Sequence, residues 1–161
     1  MSKYPLVVLI GIIVLLFYFD GRSEEIKGAD VSVDSHIGKA DSYYRDGRHV
    51  ESISEAKRAI ELRPDDPRGY NFLVVNYARQ REYREAVNAS KRQLEVLEAK
   101  DIFDVNIVTR HAALLEVSGG YDQAIEFLES YREKFPKTVD SHVEGLKTAK
   151  EKRVLYYPYF R

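Results

Sequence analysis

The sequence contains no cysteine and no tryptophan among its 161 residues. Without cysteine the chain cannot form disulfides, use a thiolate nucleophile, build a thiolate zinc site or carry a lipoprotein's lipid. An excess of one charge is also missing, since 25 basic and 26 acidic residues leave a formal net charge of −1. This balance gives no electrostatic reason to expect nucleic acid as a partner.

Only one long apolar run is present, the 15 uncharged residues from Pro5 to Phe19. As a helix this run would span roughly 22 Å, against a hydrocarbon core of about 30 Å. Tyr4 and Tyr18 stand where interfacial aromatic residues belong and extend the effective span. We therefore predict a single transmembrane anchor over residues 4–20. The alternative is a cleaved signal peptide, although the best cleavage site, at residues 21–23, follows three bulky aromatic residues.

The charges that flank the run predict its orientation. Lys3 and the α-amino group precede it, whereas an acidic excess follows it, so the N-terminus should stay in the cytoplasm. The rest of the chain would then lie in the periplasm of a bacterium, attached to the inner membrane. Residues 21–32 are polar, contain two glycines and predict a short linker.

Beyond the linker the sequence repeats with a period near 34 residues. The segments 33–66, 67–100 and about 105–138 align on one skeleton. His49, Tyr83 and Tyr121 fall at one repeat position, and Ser52, Ala86 and Ala124 fall at another. Each segment carries two amphipathic helical patterns, such as Tyr70, Leu73, Val74 and Tyr77, with a break between them.

The stretches 43–47, 55–64, 83–86 and 119–124 resemble the tetratricopeptide-repeat family, whose unit is a 34-residue helix–turn–helix. The resemblance covers about two-thirds of the chain and implies an all-α solenoid of three repeats. Arg81 departs from the family pattern because it replaces the glycine between the two helices of the second unit. A seventh helical pattern over 138–153 predicts a capping helix, which completes a solenoid domain at 33–153. A generic helical bundle is the alternative fold.

The resemblance also implies a binding surface on the first helices of the repeats. In this sequence the family's groove positions carry Asp41, Tyr44, Arg45, Asn71, Phe72, Val75, Arg79, Thr109, Arg110, Ala113 and Glu116. One subset of the family clamps a chaperone's C-terminal carboxylate. The corresponding positions here hold Ile37, Asp41, Phe72, Asn106 and Arg110, of which only Arg110 keeps suitable chemistry, so that ligand is not expected.

The C-terminal tail, 154–161, is rich in aromatic residues. Tyr156, Tyr157, Tyr159 and Phe160 surround Pro158, which prevents the preceding helix from continuing. An exposed tail of this kind would be a liability in water. It either folds back on its own solenoid or anchors into a partner, and we count its four aromatic residues among the candidate partner-binding residues.

Catalytic, metal and cofactor sites are not predicted. His36, His49, His111 and His142 are scattered along the chain, without the spacing of a metal site. Three functions remain open: a membrane-anchored scaffold that binds other proteins and the lipid bilayer, an accessory subunit of a membrane enzyme complex, or a secreted peptide-binding module. We favour the scaffold.

Overall fold

The computed structural model describes residues 32–157, which contain seven helices and no strand. Each of these helices packs against the next one in the chain. The helices are α1 (32–45), α2 (His49–Leu62), α3 (Pro67–Arg79), α4 (Tyr83–Glu98), α5 (Val105–Val117), α6 (Tyr121–Ser130) and α7 (Pro136–Lys152).

The three turns inside the predicted repeats have the same geometry. Gly47, Arg81 and Gly119 each adopt a positive φ, at 73°, 62° and 94°. In each turn the next residue's N–H donates to a carbonyl five residues earlier, at distances of 2.8 to 2.9 Å. This is the hydrogen bond with which a left-handed residue ends a helix. Arg81 therefore keeps the turn that glycine makes in the other units, with the steric cost of a side chain at positive φ.

Caps between the repeats also follow the sequence. Asp66 accepts a hydrogen bond from Arg68 N–H at 3.0 Å, and Pro67 takes the first helical position of α3. Asp104 caps α5 in the same way through Asn106 N–H, at 2.8 Å. Both carboxylates satisfy N–H groups that a helix start leaves without a partner.

Small residues stand where the two helices of each unit approach one another. Ser52, Ala86 and Ala124, which share one repeat position, are all fully buried. Between units, a Cβ added at Gly69 would lie 2.6 Å from Ile60 Cγ1, so this contact between α2 and α3 requires glycine. Residues that share this repeat position in the sequence are thus buried in the same way in each unit.

A buried polar cluster connects the first three helices. Asn76 is fully buried, and its amide donates to Ser52 Oγ at 2.8 Å and to the Phe72 carbonyl at 2.7 Å. Ser52 Oγ in turn donates to the Ala40 carbonyl of α1 at 2.7 Å. His49 Nδ1 lies 2.9 Å from Asn76 Oδ1 and completes the cluster. A satisfied network of this kind fixes the register of α1, α2 and α3.

The capping helix α7 closes the end of the solenoid. Its inner face consists of Val139, Val143, Leu146 and Ala149, which are all buried. The first three join Leu128 of α6 in the core of the third unit. The opposite face of α7 stays polar, as a terminal solenoid element requires.

The predictions of an anchor and of a linker concern segments that precede most of the described residues. The predicted anchor, 4–20, lies outside the described residues, as does most of the linker. Within 32–157 no helix is long and apolar enough to cross a membrane.

Candidate functional site

The first helices of adjacent units border a cavity of about 230 Å³, which we call the groove. Two of the predicted site residues, Asn71 and Phe72, line it. The remaining lining residues are Ile37, Pro67, Arg68, Gln93, Leu97 and Ile107. The groove is therefore formed by α1, α3, α4 and α5, and most of its wall is apolar.

Arg110 does not line this cavity but contacts two residues that do, Asn71 and Gln93. Its guanidinium donates to Asn71 Oδ1 at 2.9 Å and to Gln93 Oε1 at 2.7 Å, both neutral acceptors. Burial lowers the pKa of Arg110, and the charge of Asp104 opposes that effect. Among the described residues no carboxylate forms an ion pair with Arg110, and its Nε has no hydrogen-bond partner. The groove thus offers a partly desolvated cation beside an apolar wall.

The other predicted first-helix residues do not line the groove. Arg45 is exposed and pairs with Asp41, with Arg45 Nη2 and Asp41 Oδ2 2.5 Å apart. Tyr44 is half-buried, and its ring centre lies 5.9 Å from that of His49. Val75 and Thr109 are half-buried, and Arg79 is exposed. The structure therefore brings Asn71, Phe72 and Arg110 together, and their role in binding stays a prediction.

Tyr156 and Tyr157 fold back on the solenoid. Tyr157 is only 6% exposed and belongs to the core of the third unit. His142 stacks on it, with ring centres 5.6 Å apart, and meets Tyr156 edge-on at 5.8 Å. Burial first, and then Tyr156 and Glu116, raise the pKa of Tyr157. Of the two alternatives for the tail, folding back holds for these two residues, whereas Tyr159 and Phe160 lie outside the described residues.

Glu116, predicted as a groove residue, is instead covered by the C-terminal tail. It is 1% exposed, and its carboxylate accepts hydrogen bonds from the main-chain N–H groups of both Tyr156 and Tyr157, the latter at 2.8 Å. Glu116 does not line the groove, and its carboxylate is already occupied by the chain's own tail.

A second cavity, of about 500 Å³, lies beside α4, α5 and α6. His111 lines it, is 4% exposed, and has no hydrogen-bond partner for Nδ1 within residues 32–157. Burial, and secondarily the charge of Lys91, lowers the pKa of His111 to about 4. Aromatic rings form part of the wall, with Phe127 centred 4.5 Å from the imidazole. The histidine is therefore neutral at pH 7. No group of three potential metal-binding side chains occurs in the described part of the chain.

Sequence reasoning missed several residues of the groove. Gln93 was not predicted as a site residue, although a polar residue among the apolar positions of α4 could have marked it as a buried hydrogen-bonding group. Ile107 was also missed. Ile37 was named only as a position of the carboxylate clamp, and no local signal connects it with Ile107, which comes from a different unit. The hydrogen bonds between Glu116 and the tail could not be predicted from the sequence, since acidic residues are common on exposed helix faces.

Comparison with known proteins agrees with this geometry at the level of fold. No family model matches the chain, and no curated protein matches its sequence. The solved N-terminal domain of stress-induced protein-1 (STI-1) from C. elegans is similar in structure, with a TM-score of 0.66 over 74% of this chain and 96% of that chain. Its sequence identity of 15% limits the likeness to the fold. The predicted all-α, tetratricopeptide-repeat-like solenoid is confirmed.

Proposed function

We propose that the chain is a protein-binding scaffold whose groove receives a segment of a partner protein. The observation that carries this proposal is the convergence of Phe72, Asn71 and Arg110 at an open, largely apolar cavity. Aromatic and arginine side chains are the residue types that contribute most to binding energy in protein interfaces. Function does not follow from fold alone, so the groove residues carry the argument.

The groove favours a peptide or helix that combines an apolar side chain with an acceptor group. The apolar side chain would occupy the space beside Phe72 and Ile107. A carbonyl or carboxylate would approach Arg110, whose present acceptors are neutral amides. Hydrogen bonds to a partly desolvated guanidinium are stronger than those between neutral groups.

We further propose that the scaffold is anchored in a membrane and helps assemble or stabilise a membrane or envelope protein complex. The support is the uncharged run from Pro5 to Phe19, with interfacial tyrosines at both ends. The charge asymmetry around it favours a bacterial inner-membrane protein with a periplasmic solenoid. Intact mass of the native protein tests the anchor, and a mature chain beginning at Glu24 would contradict it and favour the secreted alternative.

Photo-crosslinking tests the groove as a contact surface. A benzophenone-containing aromatic residue replaces Phe72 in one protein and Lys57, exposed on α2, in a control. We expect irradiation in the native host to give a discrete crosslinked partner from position 72 and at least about tenfold less from position 57. The reason is that only position 72 lies in the proposed contact surface. Equal yields from both positions would contradict a groove-centred interaction.

A further inference from the structure

The tail contact at Glu116 is built from main-chain groups as well as side chains. Two successive N–H groups, those of Tyr156 and Tyr157, turn towards one carboxylate. Successive N–H groups that converge in this way form a nest, which is a binding concavity for an anion. Here the anion is the side chain of Glu116 on α5, so α5 binds the main chain of the tail.

Contacts from three helices surround the same segment. Tyr156 packs on Gly145 of α7, where an added Cβ would overlap with the tyrosine ring. His142, also on α7, contacts both tyrosine rings. From the start of α6, Tyr121 donates its hydroxyl to the Val154 carbonyl at 2.9 Å. The segment 154–157 is thus bound in a shaped site, with a glycine that leaves room for one aromatic ring.

The carboxylate of Glu116 depends on this segment for its hydrogen bonds. Within residues 32–157 no lysine, arginine or histidine forms an ion pair with it, and it is 1% exposed. A buried carboxylate without hydrogen bonds is strongly unfavourable, so the site requires an occupant that supplies N–H donors. Water or another peptide segment would have to replace the tail whenever the tail leaves.

We propose that Glu116, Gly145 and His142 form a receptor for a short aromatic peptide segment with two successive free N–H groups, and that residues 154–157 are its resident ligand. A partner segment with adjacent aromatic residues binds this receptor by displacing the tail. The displacement step rests on the proposed binding function. The receptor itself does not, because its resident ligand belongs to the same chain.

Hydrogen exchange in the full-length protein tests the hydrogen bonds between Glu116 and the tail. We expect the amides of Tyr156 and Tyr157 to be protected in the wild type and to exchange at least about tenfold faster in Glu116→Gln, because an amide side chain replaces one acceptor oxygen with a donor group. Glu144→Gln, which changes an exposed glutamate of α7, is the matched control and should leave both amides protected. Unprotected amides in the wild type, or equal exchange in Glu116→Gln, would overturn the proposal.

A competition experiment tests the receptor. The probe is a labelled, N-acetylated peptide with the sequence of residues 154–158, and the proteins are the full-length wild type and Tyr156→Ala with Tyr157→Ala. We expect at least about tenfold tighter binding to the double variant, because the tethered wild-type tail competes at an effective concentration near millimolar. Adding Glu116→Gln to the double variant should abolish binding. Equal binding to all three proteins would refute a receptor at this place.

Gly145→Ala provides a second variant should the tyrosine double variant not fold. The added methyl displaces the Tyr156 ring, whereas alanine favours the helix itself. We expect the Tyr156 amide to exchange faster while the amides of α2 and α3 keep their protection. An unchanged Tyr156 amide would contradict the role of Gly145. All three measurements use only this chain, so their failure would leave the groove at Phe72 untouched, and failure of the crosslinking experiment would leave the receptor untouched.

Discussion

Asn76→Ala should lower the free energy of unfolding by about 2–3 kcal/mol, because it removes the fully buried centre of a hydrogen-bond network. The substitution leaves Ser52 Oγ without its donor and His49 Nδ1 without its acceptor. It also leaves a small cavity among α1, α2 and α3, the three helices that the network joins.

Thermal and urea unfolding followed by circular dichroism measure this effect. We expect Tm to fall by roughly 5–10 °C. Asn88→Ala is the matched control, since Asn88 is exposed on α4 and its replacement should change stability by less than about 0.5 kcal/mol. Equal effects from the two asparagines would show that the network does not stabilise the fold.

His111→Gln should remove a pH dependence of stability between about pH 6.5 and pH 4. The pKa of His111 is lowered to about 4 by burial and, to a lesser extent, by Lys91. In that window the unfolded chain binds a proton that the folded chain does not bind, so wild-type stability falls as pH falls. The loss is complete near pH 4 and amounts to as much as about 3 kcal/mol.

Urea unfolding of wild type and His111→Gln at several pH values isolates this contribution. Carboxyls with a lowered pKa, such as Glu55 beside His36 and Asp66 beside Arg68, destabilise the fold at lower pH in both proteins, so they cancel in the difference. Lys91→Gln removes only the smaller cause and should keep most of the slope. A difference between wild type and His111→Gln that is constant from pH 7 to pH 4 would contradict a neutral, buried imidazole.

The repeat architecture could be predicted from the sequence because its signals are local. Helical periodicity, the Asp66–Pro67 start of α3 and the glycine turns each depend on a few neighbouring residues. Each motif is weak by itself, but its recurrence in register in three units makes the pattern specific. The same repetition located Arg81 as a turn residue, although arginine by itself does not favour a positive φ.

The candidate site could be predicted only in part, because its contacts join distant residues. Asn71 and Phe72 were found from repeat position, but their hydrogen-bonding neighbour Gln93 and the wall residue Ile107 depend on how whole helices pack. Glu116 and Tyr157 are 41 residues apart in sequence. The sequence does not distinguish a buried glutamate such as Glu116 from an exposed one, because its burial depends on a distant segment of the chain.

The groove is the central claim, and co-purification of the native complex tests it most directly. Wild type, Phe72→Ala with Arg110→Gln, and the exposed control Arg92→Gln are each isolated from the native host in mild detergent, and bound proteins are identified by mass spectrometry. We expect wild type and the control to retain the same partner. The groove variant should retain at least about tenfold less of that partner, because aromatic and arginine anchors dominate binding energy. Its circular dichroism spectrum should still be that of a helical protein. Full retention of that partner by a folded groove variant would contradict the claim that the groove is the binding surface.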